Sequence, residues 1–283
     1  MATFTNQATL SYSGGMVNSN ITTGEILEVL SATKTAVVDT YTNDSEITYV
    51  INIVNASTTA FSGLSVTDDL GGYTFGSSTV YPLSYVADSV KYFVNGVLQA
   101  TPAVTAGPPL VISGISVPAN AIVTIAYTAE TTEFAPPLAE GVITNTALIS
   151  GGGITEITVT ESITAEAAAN LTITKTINPT VVTENGQITY TFIIQNTGNT
   201  PAIATDNVVL SDTFNPALSA ITVTYNGAVW SSPANYTYNE ATGEFATIPS
   251  QITVPAATYT QDPVTGEWLI DPGIAVLTVT GTV

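Results

Sequence analysis

Glu184-Asn185-Gly186-Gln187-Ile188-Thr189-Tyr190-Thr191-Phe192-Ile193-Ile194-Gln195-Asn196 has a counterpart earlier in the chain, Asn43-Asp44-Ser45-Glu46-Ile47-Thr48-Tyr49-Val50-Ile51-Asn52-Ile53-Val54-Asn55. The match continues on both sides. Thr33-Lys34-Thr35 precedes Ile47-Thr48-Tyr49 by the same interval at which Thr174-Lys175-Thr176 precedes Ile188-Thr189-Tyr190. Downstream, Val66-Thr67-Asp68-Asp69-Leu70 matches Leu210-Ser211-Asp212-Thr213-Phe214, and the turn Asn95-Gly96, of the kind that closes tight hairpins, matches Asn226-Gly227. A period of this length makes each copy a domain rather than a solenoid unit. Short spans of alternating apolar and polar residues, punctuated by Gly, Pro and Asn-Gly, run throughout and predict an all-β chain of two tandem β-sandwiches. We place the first domain at 30–168 and the second at 169–283, with residues 1–29 ahead of both.

Composition narrows the chemistry. The 283 residues contain no cysteine and no histidine. Disulfides, thiol nucleophiles and the commonest general base and metal ligand are therefore missing, and no cofactor, no metal and no conventional enzyme activity are expected. Only 9% of residues are charged, against roughly 25% in ordinary soluble domains. The net charge of −19, with just Lys34, Lys91 and Lys175 as basic residues, argues against nucleic acid or an anionic bilayer as partner. No run of about 20 apolar residues predicts a membrane-spanning helix. Met1-Ala2-Thr3-Phe4 does not resemble a signal peptide, so the chain is expected either to be released by lysis or to carry a leader ahead of it.

The two copies differ at their ends. The first closes with Ile143-Thr144-Asn145-Thr146-Ala147-Leu148-Ile149-Ser150-Gly151-Gly152, and the second stops at Val283 with no such segment. The missing form stands at the other end of the chain, as Phe4-Thr5-Asn6-Gln7-Ala8-Thr9-Leu10-Ser11-Tyr12-Ser13-Gly14-Gly15. Asn6 precedes Lys34 by nearly the interval at which Asn145 precedes Lys175. The N-terminal stretch is thus expected to be a donor strand, and the second domain a sandwich lacking its closing hairpin.

Strand parity sorts the chemistry-bearing residues. Lys175 shares a face with Leu171, Ile173 and Ile177; Lys34 does so with Leu30, Ala32, Ala36 and Val38. Asn145 falls with Ile143, Ala147 and Ile149, and Asn6 with Phe4, Ala8, Leu10 and Tyr12. Asp68 and Asp212 lie on the core parity of their strands. A lysine buried this way is pushed toward the neutral amine, which is a nucleophile. Beside an Asn carboxamide and an acid protonated by the same burial, it can expel ammonia and form an isopeptide bond. The alternative is a lysine that snorkels to the sheet edge and pairs with Asp68 or Asp212 as an ordinary ion pair.

Leu171-Thr-Ile-Thr-Lys175-Thr, the Ile188 to Gly198 strand, Val-Leu-Ser-Asp212 and the closing Ile143-Thr-Asn145-Thr-Ala147 resemble the bacterial and archaeal surface repeat domain catalogued as "domain of unknown function eleven". The resemblance implies immunoglobulin-like sandwiches of surface proteins. The opening Ala2 to Tyr12 is similar to subunits of clostridial spore appendages. Isopeptide bonds from Lys, Asn and Asp or Glu are known in such fibres. The resemblance therefore implies a bond between Lys34 and Asn145, assisted by Asp68. Lys175 and Asp212 lack an Asn of their own, which directs Asn6 of another copy to Lys175. The expected function is a structural subunit of an extracellular cell-surface or spore-surface filament, a homopolymer with an unknown anchor or receptor. The alternative is an adhesin or stalk module that binds glycan or protein through its loops.

Weaker signals are glycosylation sequons, among them those at Asn20, Asn55, Asn170 and Asn235, and a loop carrying Asp262, Glu267 and Asp271 that could hold calcium. Trp230 and Trp268 with Tyr236 and Tyr238 could form a sugar-binding face, although packing within a sandwich is the commoner use of such residues.

Overall fold

The computed structural model describes residues 2–26 and 28–283. The ladders that build the two sandwich cores are antiparallel, and among the described residues the sole helical element is a 3-10 turn at Ala204–Asp206. The chain is all-β, with immunoglobulin-like sandwich architecture.

The N-terminal segment is a hairpin arm. Strands β1 (Ala2–Asn6) and β2 (Thr9–Tyr12) run out, and β3 (Gly15–Asn18) and β4 (Thr22–Ile26) return, with β2 on β3 and β1 on β4. The ladder breaks at Ala8, where Ser19 takes over both backbone groups: its N–H donates to the Ala8 carbonyl at 2.8 Å and its hydroxyl accepts from the Ala8 N–H at 2.9 Å.

The first sandwich runs β5 (Leu30–Ala36), β6 (Thr40–Tyr41), β7 (Glu46–Asn55), β8 (Phe61–Asp68), β9 (Tyr73–Phe75), β10 (Ser78–Val80), β11 (Leu83–Tyr85), β12 (Lys91–Val94), β13 (Val97–Leu98), β14 (Ala103–Thr105), β15 (Leu110–Val117), β16 (Ile122–Thr131), β17 (Val142–Gly151) and β18 (Ile157–Ala165). One sheet is ordered β13-β12-β16-β7-β5, with β11 also on β16; the other is β14-β15-β8-β17-β18-β6. Alternate residues of β7 and β16 are buried. Tyr49 lies opposite Tyr127 in the ladder, and Ile47, Ile51 and Ile53 beside it are fully covered. Each such side chain contributes about 1.5–3 kcal/mol of burial.

The second sandwich runs β19 (Leu171–Asn178), β20 (Gln187–Asn196), β21 (Ser211–Thr213), β22 (Ser219–Tyr225), β23 (Ala228–Trp230), β24 (Tyr236–Asn239), β25 (Glu244–Thr247), β26 (Thr258–Gln261), β27 (Trp268–Asp271) and β28 (Gly273–Thr282). Its sheets are β19-β20-β28-β22-β23 and β21-β25-β24, with β26-β27 a separate hairpin. The strand orders superimpose on the first sandwich: β19 to β5, β20 to β7, β28 to β16, and β21, β25 and β24 to β8, β15 and β14. Both Asn-Gly turns take the left-handed conformation that a two-residue hairpin needs, with φ of 49° and 78° at Asn95-Gly96 and 48° and 82° at Asn226-Gly227. Among the described residues, no strand of the second sandwich takes the places of β17 and β18, so β21 keeps a free edge.

The chain divides into compact units of 1–132 with 143–163 and of 133–142 with 164–283. The division departs from a cut at Ala168 mainly because residues 133–142 belong with the second unit. Within that unit Trp268 N–H donates to the Glu133 carbonyl at 3.1 Å, and Asn199 Nδ2 donates to the Pro137 carbonyl at 3.0 Å.

The asparagines that end the repeated strand are structural. Buried Asn55 donates to the Thr59 and Pro118 carbonyls, and Asn196 donates to those of Thr200 and Pro255. Each satisfies turn carbonyls that would otherwise be left without donors in the interior. Trp230 stacks on Tyr225 at 4.7 Å and Tyr236 packs on Phe245 at 5.5 Å, so these rings are used in packing rather than in a common exposed face. Asp262 accepts from the N–H groups of Val264 and Thr265. Among the described residues, no cluster of three acids gathers around its loop.

Candidate functional site

In the first sandwich the expected trio meets in the core. Lys34 comes from β5 in one sheet, while Asp68 at the end of β8 and Asn145 on β17 come from the other. Lys34 Nζ donates to Asp68 Oδ2 at 2.7 Å, and both side chains are fully buried. The lysine does not snorkel. Asp68 Oδ1 accepts the Leu70 N–H at 3.1 Å. β17 continues past the end of β8, and Asp69 holds it there by donating its N–H to the Thr146 carbonyl and accepting the Thr146 N–H at its carboxylate, both at 2.9 Å. Asn145 is thereby fixed two residues beyond the Ala147–Asp68 pair, on the core side. Ile143, Ala147 and Ile149 are buried with it, as parity requires; Val38 is exposed, because β5 ends at Ala36 before reaching it.

Two tyrosines complete the site, and sequence reading singled out neither. Tyr127 donates to Asp68 Oδ2 at 2.5 Å and accepts from Asn145 Nδ2 at 3.3 Å. Tyr49 stacks on Tyr127 with ring centroids 5.5 Å apart, and Lys34 Nζ lies 4.9 Å from the Tyr49 centroid. Parity on Ile47-Thr48-Tyr49 could have flagged Tyr49. Tyr127 carries no comparable repeat signal, because Val279 stands in its place on β28. Among the described residues Asn145 Oδ1 is buried without a hydrogen-bond partner, and the Asn145 carboxamide lies beside the Tyr49 hydroxyl. An unsatisfied buried carbonyl costs about 1–3 kcal/mol.

Burial drives the Lys34 amine below its usual value, and Asp68 partly offsets this. Burial raises the Tyr127 and Tyr49 hydroxyls above theirs. Nζ and Oδ2 are close enough that one proton moving between them interconverts an ion pair and a neutral amine beside a protonated acid. A pH effect follows in the unlinked variant Asn145→Ala. The folded state binds the Lys34 proton less well than the unfolded chain does, so stability rises with pH between the depressed folded value and 10.5. The rise should be read below about pH 10, where the unfolded tyrosines begin to ionise and the sign reverses. Melting midpoints of Asn145→Ala that fall over that window, relative to Asn145→Ala/Lys34→Met, would contradict this placement of Lys34.

The second site is built alike but open. Lys175 lies opposite Phe192 on the inner face of β19 and donates to Asp212 Oδ2. Its side chain is 40% exposed, and Ile173 on the same face is 57% exposed, so the inward face predicted for this strand exists but has no cover. Rings surround the ammonium instead: the Tyr190 centroid at 4.5 Å, Phe214 at 5.4 Å and Phe192 at 5.5 Å. Asn6 is on the arm. Phe4, Leu10 and Tyr12 are all more than half exposed, and Ala8 falls in the break between β1 and β2.

No protein-family model matches the chain, and no curated protein matches it. Solved structures do. A variant of BcpA, the major pilin subunit of Bacillus cereus, aligns over 95% of this chain and 73% of its own with 10% identity and a TM-score of 0.39. The pilus backbone protein RrgB of Streptococcus pneumoniae aligns over 86% of this chain and 55% of its own, with 12% identity and a TM-score of 0.33. The collagen-binding subdomain of the Enterococcus faecalis surface protein ACE covers 50% of this chain and 99% of its own, with 10% identity and a TM-score of 0.32. At these identities and scores no family is identified for the chain.

Proposed function

We propose that this protein is a structural subunit of an extracellular cell-surface or spore-surface fibre, polymerising head to tail by donation of its N-terminal hairpin into the second sandwich of a neighbouring copy. One observation carries the reading. The inner face of β19 and the edge of β21 are uncovered where the first sandwich has β17 and β18, while a hairpin with the same Asn-x-Ala signature stands apart from both sheets of that sandwich. An edge left in that state invites aggregation unless something pairs with it. The donated unit is a two-stranded hairpin, with β1 and β2 in the role of β17 and β3 and β4 in that of β18. A Lys34–Asn145 isopeptide bond would join the two sheets of the first sandwich, and Lys175 with the neighbour's Asn6 would lock each joint, Asp68 and Asp212 handling the protons. These self-catalysed bonds would be its only chemistry. A donor at one end and an acceptor at the other form a heterologous contact, which gives filaments when the rotation does not close.

Deletion of residues 2–26 tests the assembly. Full-length protein should form fibres visible by negative-stain electron microscopy, and the deleted protein should stay monomeric while capping fibres when mixed with the full-length chain. A full-length monomer two ammonias light would mean that the arm closes on its own second sandwich, and would overturn polymerisation by donation.

A further inference from the structure

The two linking sites share Lys, Asp and one tyrosine of the repeated Ile-Thr-Tyr, but they differ at the second ring. In the first, Tyr127 stacks on Tyr49, and Leu70, whose N–H donates to Asp68, is buried. In the second, Val279 replaces Tyr127, and the ring stacked on Tyr190, at 4.9 Å, belongs to Phe214, which stands where the first copy has Leu70. The exchange preserves the aromatic stack and removes a hydroxyl. That hydroxyl is the group that touches both the acid and the amide nitrogen that must leave.

We propose that the Tyr127 hydroxyl relays a proton from Asp68 to the departing nitrogen of Asn145, and that the second sandwich forms its bond without this relay, so that docking of a neighbour precedes covalent locking. The proposal rests on the isopeptide reading above. The Lys34 ammonium first gives a proton to Asp68 Oδ2, and the resulting amine forms a bond to Asn145 Cγ while Oδ1 takes the negative charge. Once Cγ is tetrahedral, Nδ2 has a lone pair and can accept the Tyr127 proton. Tyr127 recovers one from Asp68, which takes a second from Nζ. The Cγ–Nδ2 bond then breaks, Oδ1 returns to a carbonyl, and nitrogen leaves as ammonia. Of the two protons lost by Nζ, one leaves on that ammonia; the other, held on Asp68, follows to make ammonium.

At the joint, Asp212 must pass the proton to the neighbour's Asn6 directly or through water. A slow lock gives a misplaced neighbour time to dissociate before the bond forms.

The first measurement is a time course on the wild-type chain by intact mass and denaturing gel. The single ammonia loss within each subunit should be complete well before the cross-linked multimers are. Tyr127→Phe, which removes only the hydroxyl, should slow the internal loss by about a hundredfold or more, the range expected for general acid–base catalysis, while its circular dichroism matches that of Asn145→Ala. The paired exchange Val279→Tyr/Phe214→Leu, which gives the second site the residues of the first, should speed joint formation at least tenfold. Tyr127→Phe linking at the wild-type rate, or joints forming as fast as the internal bond in the wild type, overturns the relay and leaves the isopeptide reading standing. A wild-type chain with no ammonia loss at all overturns both.

Discussion

Boiled in detergent, assembled protein should run as a ladder of multimers, and either Asn6→Ala or Lys175→Ala should collapse the ladder to the monomer band. The effect is all or none because each bond is the only covalent tie at its joint. Docking itself rests on other groups and should survive Asn6→Ala. Leu10 and Tyr12 would move from open solvent onto the face that Ile173 and Ile177 leave exposed. Each contributes about 1.5–3 kcal/mol of burial, set against the cost of immobilising the partner. Asn6→Ala should therefore still give fibres by electron microscopy, but fibres that dissolve in detergent. Leu10→Asp should abolish fibre and ladder together by placing a charge in the groove. A ladder that persists in Lys175→Ala would assign the cross-link to other residues.

The repeat made the fold legible. Ile-Thr-Tyr, Thr-Lys-Thr and Asn-Gly recur because each answers to backbone geometry: an alternating central strand, an edge strand and a two-residue turn. The trio Lys34, Asp68 and Asn145 was legible for the same reason, since parity on three strands fixes which side chains enter one interior. Tyr127 was not. Its role depends on β16 lying beside β7 and on the hydroxyl reaching across to the other sheet, and the second copy has Val279 at that register, so comparison of the copies hid it. The exposure of Lys175 was equally beyond parity. Parity gives the face of a strand, whereas burial depends on what packs over that face, and here β17 and β18 have no counterpart among the described residues. The arm shows the converse. Its apolar alternation predicts a covered strand, yet its own turn at Gly14-Gly15 lets it satisfy its backbone groups as a hairpin first. A donor whose hydrogen bonds are already half made loses less entropy on docking than a disordered tail would.

Asn145→Ala should be one ammonia heavier relative to its own sequence than the wild type is, and should lower the melting midpoint of the first sandwich by about 15 °C. Closing a loop of roughly 100 residues removes denatured-state entropy worth about 4.7 kcal/mol. For a domain of this size each kcal/mol moves the midpoint by about 2–4 °C, and by more in smaller domains. The link from Lys34 to Asn145 spans β5 to β17 and so encloses most of the sandwich, including both tyrosines and the whole of β7 and β8. Loss of the amide packing alone would give a much smaller effect, of the order of 1 kcal/mol for an ordinary core truncation. The two contributions separate in Lys34→Met/Asp68→Asn/Asn145→Leu, which removes the bond and leaves no buried carboxylate without its cation. If the drop comes from the lost covalent tie, this variant should remain well below the wild type. If it matches the wild type, the bond adds nothing beyond packing, and the buried Lys34–Asp68 pair is a structural ion pair with Asn145 as its neighbour.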